Sequence, residues 1–305
     1  MDQRLALLER WVEETVPNHF PHWAEEGYTL APASADASFR RYFRLQSKGH
    51  AESLIVMDAP PDKEDSAPFV AIAETLRGCG VQAPQLHRVD LEQGLMLLSD
   101  LGATPYLDRL DHEQVETLYG DAMGALLQFQ QQWPVEKHPL PAYDHPLLMR
   151  EMALFPEWYL QIHREVVLDE DTQETLAAQF ERLASEALQQ PQVAVHRDYH
   201  SRNLMVTEIG NPGVIDFQDA VWGPVTYDLV SLLRDCYIDW PQQDIDRWVA
   251  AFYQQLQQRN MLAEEITLPQ FQRWFDWMGV HLLHPPQLER GTPPTAGVEP
   301  ILHRR

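Results

Sequence analysis

Residues Val195–Val206 read VHRDYHSRNLMV, a run that gathers His, Asp, His and Asn between apolar flanks. Three chemistries use such a set. His196, Asp198 and His200 alternate, so on a strand they would face one side and could grip a metal. An isolated H-x-D-x-H is a weak pattern, however, and no further His or Cys pair stands at a supporting spacing. A nucleophile relay would need a Ser on a tight strand-to-helix turn, and the chain holds no G-x-S-x-G. The third reading accounts for more residues. His196-Arg197-Asp198, with Asn203 five positions after the Asp, follows H-R-D-x-x-x-x-N, and thirteen residues beyond Asn203 the run VIDFQDA ends an apolar segment on Asp216-Phe217. Phosphoryl transfer requires one carboxylate beside the acceptor hydroxyl, and an amide with a second carboxylate to hold Mg²⁺ against the phosphates. On this reading Asp198 is the base, and Asn203 and Asp216 bind the metal.

Working outward, the chain is 305 residues long, enough for two lobes with separate cores. It carries 46 acidic against 23 basic side chains, a formal charge of −23 that argues against nucleic acid and anionic membranes as partners. No apolar run approaches the roughly 20 residues a bilayer demands. The start, MDQRLALLERWVEE, reads as an amphipathic helix rather than a secretory signal. Cys79 and Cys236 form no spacing motif, which fits a reducing cytoplasm.

Three strand-like runs follow the opening helix: YTLAPASADA, FRRYFRLQS and ESLIVMDAP. DSAPFVAIAETLRGCG predicts a helix capped by Asp65 or Ser66, with Phe69, Ile72, Ala73 and Leu76 buried and Glu74 turned outward. QAPQLHRVD and GLMLLSD add two strands. From about Thr104 the text turns to long helical segments, Glu113 to Trp133, Pro146 to His163, Asp171 to Gln189, Val225 to Tyr237, Asp244 to Gln257 and Pro269 to Met278, with short strands in VAVHRD, NLMV and GVIDF. The expectation is an α+β chain. Residues 1–103 would form a small antiparallel β lobe with one packed helix, and residues 104–280 a larger, mostly α-helical lobe. A Pro-rich tail, 281–305, would be irregular, and the cleft between the lobes would take the ligand.

VHRDYHSRNLMV together with GVIDFQDAVWGPVTYDLVSLL resembles the aminoglycoside-phosphotransferase-like kinases, from about Ala33 to Gly279. The resemblance implies a bilobal protein-kinase-like fold, ATP and Mg²⁺ as cofactors, and His200 in place of the family's His after the catalytic Asp. It also implies that Asp228 is the buried helix-start aspartate that shapes the catalytic loop, with His196 structural. The phrases SADASFRRYF, LIVMDAPP, LMREMALFPEWYL and IDFQDAVWGPVTYDLVSLLRDCY are similar to the amino-sugar branch of that family. This implies the anomeric hydroxyl of N-acetylmuramate or N-acetylglucosamine as acceptor, in cell-wall recycling. A monomer serving a small-molecule substrate is expected.

The pattern departs in one place that matters. The third strand, ESLIVMDAP, lacks the Lys that would pair with Glu74 and grip phosphates, Met57 or a neighbour standing instead. A non-catalytic nucleotide-binding protein is therefore an alternative, and an aminoglycoside or other small-molecule kinase is another. The turn SADASFRRYFR offers Arg40, Arg41 and Arg44 as substitute cations, with Ser38 and its neighbours presenting backbone amides. Strand alternation prevents Arg41 and Arg44 from both pointing inward without a bulge. The base would meet backbone groups near Ser99 and Leu101. For the acceptor, Arg150, Glu151 and Trp158 are the candidates, with Asp219 near the metal. The final stretch, HLLHPPQLERGTPPTAGVEPILHRR, lacks helical period where the related kinases continue in helices, as a truncated or altered end would.

Overall fold

The computed structural model describes residues 2–35 and 39–282; Ser38 and the expected tail beyond Leu282 lie outside the described residues. The chain divides into two compact units, one of residues Met1–Gly78 with Gln82–Gly102, the other beginning at Ala103 and including Cys79–Val81. As the sequence predicts, the architecture is α+β.

In the first unit, helix α1 (Gln3–His19) is capped by Asp2, whose carboxylate accepts the N–H groups of Arg4 and Leu5. A short helix α2 (Pro21–Glu26) follows, then strands β1 (Tyr28–Ala35), β2 (Arg41–Ser47) and β3 (Ser53–Asp58). Helix α3 (Ala67–Gly78) precedes β4 (Leu86–Asp90) and β5 (Leu95–Ser99). All neighbours are antiparallel, in the order β1-β2-β3-β5-β4. Alternation assigns the two faces. Leu8, Trp11, Val12 and Val16 of α1 bury the face that carries Phe43, Leu45, Leu54, Val56, Leu95 and Leu97. The register Arg41↔Asp58 and Arg44↔Ile55 then puts Arg41 with Phe43 on this covered face, and Arg44 on the other with Ile55 and Met57. Gly94 (φ +68°) must be Gly, because a Cβ there would stand 1.9 Å from the Ala59 carbonyl oxygen.

In the second unit, α4 (Val115–Gln132), α5 (His145–Leu154) and α6 (Glu170–Leu188) precede four short strands. These are β6 (Gln192–Val195), β7 (Leu204–Met205), β8 (Gly213–Val214) and β9 (Val221–Pro224). Helices α7 (Tyr227–Leu233), α8 (Gln242–Gln258) and α9 (Leu268–His281) close the unit. Expected and observed elements differ at several points, among them the helix expected over Val225 to Tyr237, which ends at Leu233. The single helix over Pro146 to His163 stops at Leu154 and continues as a wider π-type stretch, Phe155–His163, because Pro156 has no N–H for the α-helical ladder. Strand β9, which pairs with β6 from Val195↔Val221 to Gln192↔Pro224, was not expected. Helix α9 runs past Met278 to His281, into the first residue of the expected tail. Among the described residues no helix is long and apolar enough to cross a membrane.

Candidate active site

The opening motif forms one hydrogen-bonded loop. Strands β7 and β8 pair Leu204↔Val214 and Met205↔Gly213, so the residues at their open end, Asn203 and Asp216, meet. The Ile215 N–H donates to the Asn203 carbonyl at 3.1 Å. The Asn203 amide donates to the Asp216 carboxylate at 3.3 Å and to the Asp198 carbonyl at 3.0 Å, tying the three residues together. A second donor, Gln218 Nε2, holds Asp216 Oδ1 at 2.8 Å. These bonds leave the Asn203 side-chain oxygen unused and beside a carboxylate. Mg²⁺ asks for such oxygen donors, taking one or two carboxylates and completing its shell from phosphates and water. Among the described residues no three His, Cys, Asp or Glu side chains form an ion site alone, so Asn203 and Asp216 fit an ion shared with a nucleotide.

The loop's shape is set by Asp228, fully buried in the first turn of α7. Its two carboxylate oxygens accept the N–H groups of His196 at 2.7 Å and Arg197 at 3.0 Å. Arg197 is thereby held at φ +79°, a left-handed conformation that non-glycine residues seldom adopt, and Asp216 sits at φ +65°. Burial pushes the Asp228 carboxyl up to about 7 against those two bonds. His196 is also buried, which drives its ring down to about 3. Its neutral ring donates Nε2–H to the Ile215 carbonyl at 3.0 Å and accepts the Asp198 N–H at Nδ1, 3.2 Å. The Asp198 carboxyl is pushed up to about 7, first by desolvation and then by the Asp216 charge. A carboxylate so raised accepts a proton near neutral pH. His200 is half-buried with its ring edge-on to Tyr237, and burial depresses its protonation.

The expected roles of Glu151, Arg41 and the Ser99 N–H require correction, and the remaining candidates keep their expected roles open. Glu151 is 8% exposed, and its oxygens are taken by Arg197 and by the Tyr143 hydroxyl, so it belongs to the loop's support rather than to the acceptor site. Tyr143 in turn lies 2.7 Å from His281 Nε2 at the end of α9. Arg41 lies on the α1-covered face with its guanidinium already held by the two carboxylates of Asp58 and Asp2, which argues against the phosphate role. The Ser99 N–H donates to the Gln85 carbonyl at 2.9 Å and its hydroxyl accepts the Gln85 N–H at 2.8 Å, which removes both from a bound base. Leu101 is buried. Arg40 is 7% exposed and pairs with Glu64 at 3.2 Å. Arg44 holds Asp100 at 2.5 Å and the Gly102 carbonyl at 3.0 Å. Glu74, Arg150 and Asp219 are exposed, and Trp158 stacks on His163 with ring centres 5.6 Å apart.

A loop holding a carboxylate against an Asn–Asp pair is the arrangement of phosphoryl-transfer proteins, and residues 29–288 match the model of the phosphotransferase enzyme family (APH), to which the chain belongs. It is 44% identical to the N-acetylmuramate/N-acetylglucosamine kinase of Pseudomonas putida over 92% of this chain and 81% of that one. The protein of the same name from Pseudomonas aeruginosa is 47% identical over 79% of this chain and 71% of its own. That of Neisseria meningitidis is 37% identical over 91% and 80%. Among solved structures, a choline kinase from Cryptosporidium parvum superposes with a TM-score of 0.60 at 13% identity, covering 90% of this chain and 86% of that one. The aminoglycoside 2'-phosphotransferase-IIIa superposes with a TM-score of 0.59, also at 13% identity, over 90% of this chain and 88% of its own. The fold is therefore that of the kinase-like phosphotransferases.

Proposed function

We propose that this chain is an ATP- and Mg²⁺-dependent kinase that transfers phosphate to the anomeric hydroxyl of N-acetylmuramate and N-acetylglucosamine. The carrying observation is the contact of Asn203 with both the Asp198 backbone and the Asp216 carboxylate, in a chain 44% identical over most of its length to a kinase of these sugars. Asp198, with its carboxyl raised toward neutrality, takes the hydroxyl proton as the oxygen attacks. Asn203 and Asp216 would hold Mg²⁺, which when bound supplies positive charge to the phosphate oxygens. Asp228 and Glu151 keep the loop in its left-handed turn. Arg40 remains the proposed phosphate contact from the first unit, exchanging Glu64 for the nucleotide. Arg150 and Trp158 remain proposed acceptor contacts.

The test is product analysis by phosphorus NMR after incubation with ATP and each sugar, with an aminoglycoside as the competing acceptor. A sugar 1-phosphate supports the proposal, whereas a phosphorylated aminoglycoside would replace it. Lack of turnover with any acceptor would favour a nucleotide-binding protein without catalysis. Asp198→Asn keeps the shape and removes the proton acceptor. Turnover should fall by roughly 10²-fold or more while nucleotide affinity persists, and unchanged turnover would remove Asp198 from its role.

A further inference from the structure

Arg202 immediately precedes Asn203, yet the two side chains turn different ways. Asn203 reaches inward to Asp198 and Asp216. Arg202 lies over the ring of Tyr237, its guanidinium carbon 4.9 Å from the ring centre and Nη1 3.4 Å from the phenol oxygen. A buried carboxylate fixes this pairing. Asp235, 2% exposed, accepts the Ser201 N–H at 2.8 Å with one oxygen and the Tyr237 N–H at 3.0 Å with the other. The catalytic loop is thereby joined to the segment after α7. His200 meets the same ring edge-on at 5.6 Å.

Arg202 is set apart by its place on this loop: it rests on an aromatic ring, as Arg182 does on Trp277, but it stands next to Asn203. With 46 acidic and 23 basic side chains, arginines here readily find acids. Arg40, Arg41, Arg44, Arg197, Arg234 and Arg247 each hold a carboxylate. Arg202 is exposed and, among the described residues, pairs with an aromatic ring instead of a carboxylate. A guanidinium resting over a ring has part of its freedom removed, which lowers the cost of a bidentate bond to an incoming planar anion.

We propose that Arg202, seated on Tyr237 beside His200, binds the carboxylate of the acceptor and sets a preference for N-acetylmuramate over N-acetylglucosamine. This preference presupposes the sugar-kinase activity proposed above. The two sugars differ in the lactyl carboxylate. That group hangs from a different ring carbon than the reacting hydroxyl, so the cation that reads it must stand beside Asp198 without touching the transferred phosphate. Arg202 lies on the same loop four positions after Asp198, and its guanidinium rests on Tyr237 rather than on the Asn203–Asp216 pair.

Steady-state kinetics of the full chain with both sugars and with varied ATP tests this. In Arg202→Gln the ratio of kcat/KM for N-acetylmuramate to that for N-acetylglucosamine should fall about tenfold or more, chiefly through the muramate KM. Arg202→Lys should keep part of the preference, because charge remains and the planar fork is lost. An unchanged ratio overturns the inference, as does an equal loss on both sugars. A ratio that moves in Arg150→Gln and not in Arg202→Gln assigns the carboxylate to Arg150 and overturns it as well. A raised KM for ATP with the sugar ratio intact assigns Arg202 to the nucleotide and likewise overturns it. If the unsubstituted chain turns over neither sugar, the proposed activity fails and takes this preference with it, an outcome distinct from an unchanged ratio in an active enzyme.

Discussion

Glu151→Ala offers a quantitative test of how the Val195–Val206 loop is held. The Glu151 side chain is 9% exposed and that of its partner Arg197 is 22% exposed, so the pair is shielded from solvent. Removing the carboxylate leaves the Arg197 guanidinium largely buried without its counter-charge, and deprives the Tyr143 hydroxyl of its acceptor. Breaking a buried pair from one side costs about 3–5 kcal/mol. For a unit of this size, each kcal/mol lowers the melting temperature by roughly 2–4 °C. The expected change is therefore a fall of roughly 6 °C or more in a thermal scan, with a matching shift in urea midpoint. The double variant Glu151→Leu with Arg197→Met carries no stranded charge and should regain most of that stability. Its turnover should stay low, because Asp228 then holds the residue before Asp198 by its backbone alone, without the side-chain anchor. A single variant that loses less than about 1 kcal/mol would show that the pair does not hold the loop. So would a double variant as unstable as the single one.

Three further outcomes are expected. Arg40→Ala should weaken ATP binding by about tenfold in calorimetry, since a charge-assisted phosphate contact is worth roughly 1.5–3 kcal/mol, and unaltered affinity would leave the phosphates to backbone and metal. Asp228 has a folded pKa of about 7, above the ordinary Asp value of 3.8, so the native state binds the extra proton between those values. Stability relative to Asp228→Asn should thus be greatest in acid and be lost as pH rises through 7, by roughly 2–3 kcal/mol between pH 5 and pH 8 in urea titrations of the apo protein, and a flat difference would contradict the role given to burial. Gly94→Ala should lower the melting temperature sharply through its clash with Ala59, while Gly120→Ala, exposed in α4 with open space around it, should raise stability by about 0.5–1 kcal/mol.

That the Val195–Val206 loop gathers its polar residues was legible in the sequence because the information is local. Asp198, Asn203 and Asp216 are brought together by a two-stranded hairpin whose strands are visible as apolar runs on either side. The small sheet was legible for the same reason, since alternation along β2 already separates Arg41 from Arg44. What stayed hidden is long-range. Glu151 and Arg197 are 46 positions apart and Tyr143 and His281 are 138 apart, and no periodicity reports such partners. Arg41 fails as a substitute cation because a charged side chain's role depends on which carboxylate the fold places opposite it, here Asp58. Strand β9 escaped because Val221–Pro224 contains Gly and Pro, which read as turn signals although the strand pairs in full with β6.

The clamp on Asp58 matters to anyone who trims or tags this protein. That carboxylate has no exposed surface, and two guanidinium groups answer it: Arg41 from the neighbouring strand and Arg4 from the first turn of α1. Arg4 also reaches the Gln93 carbonyl at 2.9 Å, in the turn between β4 and β5. One side chain near the start of the chain thus pins two separate parts of the sheet, β3 and the β4–β5 turn. A shortened version beginning after α1 would bare the Phe43–Val56 face and leave the charge at Asp58 half-answered at once. The leading helix is therefore the keystone of the first unit, and the smallest version of that unit able to fold has to include it.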